Sequence, residues 1–354
     1  MMPFGDYYRG KRVLVTGHTG FKGSWLCTWL LKAGAEVVGF ALPPPTEPSL
    51  FDQLRLAKRL RAHALGDVRD LAALRRAIGR WKPEVIFHLA AQPLVRLSYR
   101  RPVETFETNV MGTVNVLEAV RLAGIAAKVV AITTDKVYAN DNRGRAFRED
   151  DPLGGGDPYS ASKGACEIAI ASYRRSFFPT AESRAWVASA RAGNVIGGGD
   201  WALDRIVPDA MRAFEAARPL VVRSTRSTRP WQHVLEPLAG YLTLGATDDF
   251  ARFATAYNFG PSAATVKTVG ELVEELVKYH PGAKVDNRTD PSSPPEAKAL
   301  ALDSRKARRA LGWRPRWDFA ETIRRTVEWY QLVGAGADAR DITEAQIEAY
   351  ERRS

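Results

Sequence analysis

The chain has 354 residues, 45% of them hydrophobic and 26% charged, a balance that excludes a disordered or low-complexity protein and supplies apolar material for about two domains. Its net charge of +11 does not mark a nucleic-acid site, because the basic runs at Arg55–His63, Arg75–Arg80, Ser304–Arg309 and Ile323–Arg325 fall at helical spacing and read as solvated helix faces. No apolar run reaches the ~18 residues of a membrane span, and Cys27 and Cys166 lie in separate helical segments, so the expectation is a soluble, cytoplasmic protein without membrane partner, disulfide framework or metal.

Lys11–Thr16 reads as a short buried strand, followed by the glycine-rich turn GHTGFKG and a helix closed by Gly34. Glu36–Leu42 is the next strand, ended by PPPTEP. The alternation continues through a helix over Ser49–Leu60, a strand at Ala62–Leu65, a helix over Asp70–Arg80 and a strand at Glu84–His88. A long helix over Pro102–Ala123, the strand Lys128–Ile132, a second long helix over Tyr159–Phe177 and the strand Trp186–Arg191 complete it. Strands separated by helices predict an α/β fold, a Rossmann-type doubly wound parallel sheet. Beyond it the loops turn rich in Gly, Pro, Arg and Trp, and the helices at Asp204–Ala217, Val269–Tyr279, Ser304–Leu311 and Phe319–Leu332 are short. We expect a dinucleotide-binding domain over 1–190, a smaller C-terminal α/β substrate lobe over 191–335 with returns to the sheet, and a peripheral helical tail over 336–354.

Gly17, Gly20 and Gly23 stand between the first strand and its helix. Glycines there permit a tight turn, a close approach of backbone to a pyrophosphate, and close packing of helix on strand. The loop from Gly17 to Gly23, with His18, Thr19, Phe21 and Lys22, is therefore the expected cofactor cradle. The second strand ends at Phe40–Leu42 without an Asp or Glu for a ribose hydroxyl and without a following Arg for a 2′-phosphate, so the pattern does not choose between NAD and NADP. Asp67 and Val68 are natural neighbours of an adenine ring, although Asp67 also suits a helix cap. Leu89, Ala90, Ala91 and Gln92 leave the fourth strand at the same sheet edge, where small residues admit a cofactor. His88 reads as structural. Asn109 either orders its own helix or a water chain near the Lys163 ammonium, or is a plain helix-interior asparagine.

Tyr159 and Lys163 are four residues apart at a helix start, on one helical face. An ammonium beside a phenol lowers its pKa from about 10, which makes Tyr159 a candidate base. Thr134 ends the strand Lys128–Ile132, where an open α/β sheet places its ligands, and Asp135 and Lys136 follow it.

The motifs VTGHTGFKG, HLAAQ, TTDK and Tyr159-x-x-x-Lys163 resemble the extended short-chain dehydrogenase/reductase superfamily. Within it, GHTGFKGSWL, PPTEPSLF, TTDKVY, GGGDPYSASKG, RAGNVIGGGDWA, RPWQHVLEPLAGYL and EAKALALD resemble the CDP-glucose 4,6-dehydratases over nearly the whole chain. The resemblance implies bound NAD, CDP-glucose as substrate, a homodimer through the helices near 102–123 and 159–177, and a role at the entry to the deoxysugars of lipopolysaccharide O-antigen. It implies oxidation at carbon 4 by Tyr159, with Thr134 on the carbon 4 oxygen. Asp135 is then the acid for the carbon 6 hydroxyl if burial raises its pKa, and Lys136 is either the base for the carbon 5 proton or a cation that stabilises the enolate. Asn194, Arg229, Arg205 and Lys298 are expected on the diphosphate, Trp201 or Trp231 near the cytosine, and Gln92 in the same pocket. Pro295 departs from the histidine more often found there. An epimerase or reductase of the superfamily needs no Asp135–Lys136 pair, and a non-catalytic dinucleotide sensor needs no Tyr–Lys pair.

Overall fold

The computed structural model describes residues 2, 4–140, 144–178, 184–262, 266–288 and 300–352. Its central sheet contains β1 (Arg12–Thr16), β2 (Glu36–Ala41), β3 (Ala62–Leu65), β4 (Val85–His88), β5 (Lys128–Ile132), β6 (Trp186–Ala192) and β7 (Ala256–Phe259), in the spatial order β3-β2-β1-β4-β5-β6-β7. Every pairing is parallel. Side chains alternate across the sheet, so Val13 and Val15 join one core with Trp25 and Trp29, while Leu14 joins the other with Ile86, Val129 and Ile170. Burial on both faces explains the near-continuous apolar strands. The chain runs outward in one direction from β1 to β3 and in the other from β4 to β7. The crevice at that switch, outside the carboxyl ends of β1, β4 and β5, is where such sheets bind ligands.

The main helices are α1 (Phe21–Lys32), α2 (Leu71–Trp81), α3 (Gly112–Ala123), α4 (Pro158–Ser176), α5 (Ile206–Glu215), α6 (Leu235–Ala246), α7 (Val269–Lys278), α8 (Phe319–Gly334) and α9 (Ala339–Arg352). Their ends follow local chemistry. The Asp70 and Asp157 side chains accept from the backbone N–H groups of Ala73 and Ser160, and Thr268 and Glu271 form a reciprocal capping box on α7; such caps contribute about 1 kcal/mol each.

Four segments differ from the sequence expectation. The helix over Ser49–Leu60 breaks into Leu50–Gln53 and Leu56–Arg59 at Arg55, whose φ of 52° is left-handed. The helix over Pro102–Ala123 is interrupted by a π-helical turn at Glu107–Met111 that carries Asn109. Helix α6 was not expected, because it is buried along most of its length and so lacks an amphipathic period, whereas β7 is a strand by which the chain beyond β6 returns to the sheet. The tail, expected as peripheral, forms α9, whose Ile347 and Tyr350 are fully buried. Tyr350 donates to Glu236 Oε2 (2.7 Å) at the start of α6, and Trp29 Nε1 donates to Glu351 (2.7 Å).

Beyond β6 the chain forms three small two-stranded ribbons. Val195–Ile196 pairs with Gln232–His233, Thr228–Pro230 with Val266–Thr268, and Leu220–Val222 with Val285–Asn287.

Candidate active site

The turn after β1 is shaped by what its neighbours allow. Gly17 has φ +74°, and a Cβ on it would lie 2.7 Å from the Ala90 nitrogen; one on Gly23 would lie 2.2 Å from the Gly17 oxygen. Packing alone demands both glycines. At Gly20 a Cβ would meet only the Gly17 oxygen, at an ordinary 3.5 Å, so the fold itself does not require glycine there. Gly20 is the N-cap of α1 and makes no side-chain cap bond. Bare backbone at a helix N-terminus, with N–H groups that have no partner inside the helix, fits a pyrophosphate.

The surrounding candidates take different parts. Thr16 Oγ1 bonds His88 Nδ1 (2.7 Å) and accepts from the Ala90 N–H (3.3 Å), and His88 Nε2 meets Thr113 Oγ1 at 3.1 Å. Burial pushes His88 down to about 3, so it is a neutral structural residue that fixes the Leu89–Ala91 edge. His18 pairs with His63 (Nε2 to Nδ1, 2.7 Å) and is held down at about 4 by burial and then by His63. Thr19 Oγ1 donates to the Leu42 carbonyl (2.9 Å) and ties the loop to the end of β2. Asp67 does not cap α2, which Asp70 does; its carboxylate is bonded by Arg69 (2.6 Å), which holds it below the usual range. Val68 is buried against Gly112.

Asp157 caps α4 and Pro158 fills its first turn, which sets Tyr159 at the helix start with Lys163 one turn on. Lys163 Nζ donates to the Ile132 carbonyl (3.2 Å), and burial lowers its pKa. Thr134 stands close enough to the Tyr159 phenol to pull its pKa down, and its hydroxyl donates to Asp135 Oδ1 (3.0 Å). Asp135 is 2% exposed, and among the described residues its Oδ2 has no hydrogen-bond partner. Lys136 is partly exposed, its N–H on Thr134 Oγ1 (3.4 Å). Lys22 is within charge range of Arg205, Lys163 and Asp135; burial first, then the two cations, push it down to about 8.

One expectation is corrected. Tyr159 is not lowered by Lys163 in the protein alone: burial pushes it up to about 12. The groups that pull it down are Thr134 and Arg205, whereas Asp135 pushes it up. Desolvation of the phenolate outweighs the cations, and the Lys163 ammonium is engaged by the Ile132 carbonyl.

The expected substrate residues divide similarly. Arg205, bonded to Asp200 (2.7 Å), comes within charge range of Tyr159. Arg229 is buried on the strand Thr228–Pro230, which brings Pro230 beside Gly193 and the Asp135 carboxylate. Asn194 stands half-buried where its carbonyl accepts from the Gln232 N–H (3.3 Å). Gln92 is committed elsewhere: its Nε2 donates to the Leu94 carbonyl and Thr105, and its Oε1 accepts from the Leu94 N–H, so it shapes its own loop. Trp201 is likewise structural, with its ring edge-on to Trp329 and Tyr330 and its N–H on Gln53 (3.0 Å). Trp231 donates to the Lys267 carbonyl. Lys298 and Pro295 lie outside the described residues.

Sequence reasoning missed Glu167, Arg191, Gly193 and Tyr241. Glu167 had a signal, since it extends the Tyr159–Lys163 spacing by one more turn on the same face. Tyr241, on α6, brings near Tyr159 and Asp135 a buried hydroxyl that has no hydrogen-bond partner among the described residues. Its apolar helix gave no hint.

The geometry therefore joins a bare-backbone anion cradle, a phenol–ammonium pair and a buried carboxylate with a free oxygen. The sequence profile of the GDP-mannose 4,6 dehydratase family matches residues 14–326. A CDP-glucose 4,6-dehydratase of Salmonella typhimurium (strain LT2) is 47% identical over 350 residues, covering 98% of this chain and 97% of its own. Among solved structures, the dTDP-glucose 4,6-dehydratase DesIV of Streptomyces venezuelae, crystallised with NAD and TYD, superposes with a TM-score of 0.78 at 26% identity, covering 90% of this chain and 97% of its own. An epimerase of Methanothermobacter thermautotrophicus gives 0.77 at 25% identity, covering 95% and 98%. The chain belongs to the GDP-mannose 4,6 dehydratase family, within the extended short-chain dehydrogenase/reductase superfamily.

Proposed function

We propose that the protein converts CDP-glucose to CDP-4-keto-6-deoxyglucose. Near-complete coverage at 47% identity with a CDP-glucose 4,6-dehydratase supports the substrate. The single observation that carries the chemistry is the unpartnered, buried Oδ2 of Asp135 beside Thr134 and Tyr159.

NAD, when bound in the Gly17–Gly23 cradle, supplies reversible hydride acceptance. Tyr159 takes the carbon 4 hydroxyl proton while Thr134 bonds the same oxygen, and carbon 4 becomes a ketone. The ketone makes the carbon 5 proton acidic. Asp135 protonates the departing carbon 6 hydroxyl, and Lys136, at the partly exposed rim, takes the carbon 5 proton or stabilises the enolate. One water leaves, and the hydride first removed from carbon 4 reduces carbon 6 as carbon 5 regains a proton. Arg205, Arg229, Asn194 and Lys298 hold the diphosphate, and the lobe that follows β6 encloses the nucleotide.

The assembly is a homodimer and acts in the cytoplasm on the route to the deoxysugars of lipopolysaccharide O-antigen. The exposed apolar side chains of Val103, Phe106, Met111 and Ile168, on the helices from Pro102 to Ala123 and on α4, support a self-pairing surface. Among the described residues no helix is long and apolar enough to cross a membrane. Proton NMR of the purified protein with CDP-glucose tests the reaction. A new carbon 6 methyl doublet is expected; conversion to the carbon 4 epimer, or no conversion, would contradict the reading.

A further inference from the structure

Beneath the reacting side chains lies a buried ion pair. Glu167, on α4 one turn beyond Lys163, and Arg191, on β6, meet at 2.8 Å with side chains 3% and 4% exposed. Each holds one end of the segment that links β5 to the acid. Glu167 Oε1 accepts from Thr133 Oγ1 (2.5 Å), and Oε2 accepts from Ser189 Oγ (2.8 Å). Arg191 Nη1 donates to the Tyr138 hydroxyl (2.8 Å) and to the Glu149 carbonyl (3.0 Å). The Tyr138 hydroxyl in turn donates to Asn258 Oδ1 (2.7 Å) on β7. Between Thr133 and Tyr138 run Thr134, Asp135 and Lys136, in no regular structure longer than the 3₁₀ turn Asp135–Val137.

A buried ion pair contributes little net stability over a well-packed apolar pair, because desolvation offsets the attraction. Its directed bonds offer what an apolar pair lacks, a fixed direction and distance at each end of the segment. We infer that Glu167 and Arg191 are positioning residues that clamp the Thr134–Asp135–Lys136 segment against the helix bearing Tyr159 and Lys163, so that the oxidation and elimination steps share one geometry. The inference rests on the dehydratase reading above. Loosening the clamp leaves Tyr159 on its own capped helix but lets Asp135 drift, and a misplacement of about 1 Å can slow a step about a hundredfold.

Glu167→Gln leaves Arg191 buried without its counter-charge and is prone to unfolding, so single-hydroxyl variants carry the test. Thr133→Val removes the bond to Glu167, Tyr138→Phe removes the bonds to Arg191 and Asn258, and both leave the ion pair in place. We expect both to melt within a few degrees of the parent. With NAD and CDP-glucose, oxidation loses at most the one bond Thr134 gives the carbon 4 oxygen and should slow by no more than about tenfold, while the double variant eliminates water about a hundredfold more slowly than the parent. NADH absorbance then builds up during turnover, and Thr133→Ser restores the parent pattern. Equal slowing of both steps without NADH accumulation, or unchanged kinetics, would overturn the clamp. A parent enzyme that forms no 6-deoxy ketosugar would overturn the dehydratase reading and the clamp with it, whereas failure of the clamp alone leaves the parent dehydrating normally.

Discussion

Gly193 lies so close to Asp135 that a methyl group built on its Cα would stand 2.7 Å from Oδ2, with Pro230 Cγ at 3.1 Å on another side. The atom in the way is the end of a carboxylate, which can swing, so Gly193→Ala is expected to fold. The swing moves the proposed acid away from carbon 6. We expect carbon 4 oxidation, read as NADH absorbance in a single turnover, to survive, and formation of the 6-deoxy product to fall about a hundredfold. Parallel loss of both steps would show that Gly193 supports the fold rather than the acid.

The glycine loop gives a second, paired prediction. Gly23→Ala forces a contact of 2.2 Å with the Gly17 oxygen, so it should lower the melting temperature of the cofactor-free protein by several degrees. Gly20→Ala meets nothing closer than 3.5 Å and should melt like the parent. It places a methyl where the pyrophosphate approaches, so calorimetric titration with NAD should show affinity at least about tenfold weaker, roughly 1.4 kcal/mol. Equal melting behaviour and equal NAD affinity in the two variants would contradict the cradle.

The pH dependence of hydride transfer follows from Tyr159. Burial raises its phenol to about 12, so the phenolate is scarce at neutral pH and grows as pH rises. The single-turnover rate of NADH formation should therefore climb with pH through the neutral and alkaline range, and Tyr159→Phe should remove the climb and about a thousandfold of the rate. A flat profile in the parent, or full activity in the variant, would exclude Tyr159 as the base.

Acid stability should be set by buried histidines. Burial holds His88 and His233 at about 3, and burial with the His63 charge holds His18 at about 4, against 6.5 in the unfolded chain. Folded values below unfolded ones mean stability that is present above 6.5 and lost as pH falls, about 2 kcal/mol per histidine by pH 5. Glu236, raised by burial to about 7, has the opposite sign: the native carboxyl keeps its proton where the unfolded one loses it, so its contribution grows as pH falls from 7 toward 4.5. The net expectation is a loss of about 3 kcal/mol between pH 7 and pH 5 by denaturant unfolding. Stability that rises over that interval would contradict the buried neutral state of the three rings.

The alternating sheet, the glycine loop and the Tyr159–Lys163 pair were legible because each is written in local spacing. Helix α6 was hidden by the same rule, since a helix buried along most of its length shows no polar face. The break at Arg55 and the π turn at Asn109 reflect tertiary constraints that no short window contains. Glu167 and Arg191 are 24 residues apart in the chain and meet only because α4 returns beside β6. The direction of the Tyr159 shift was misjudged for a related reason. The helical period puts Lys163 on its face, but depth of burial and the approach of Arg205 from beyond β6 belong to the folded molecule.

The most direct test of the proposed dehydration is the fate of the hydrogen on carbon 4. With CDP-glucose deuterated at that carbon, the account predicts that the label reappears in the carbon 6 methyl group of the ketosugar product, as read by mass spectrometry and deuterium NMR. Label released to solvent, or retained on carbon 4, would contradict it.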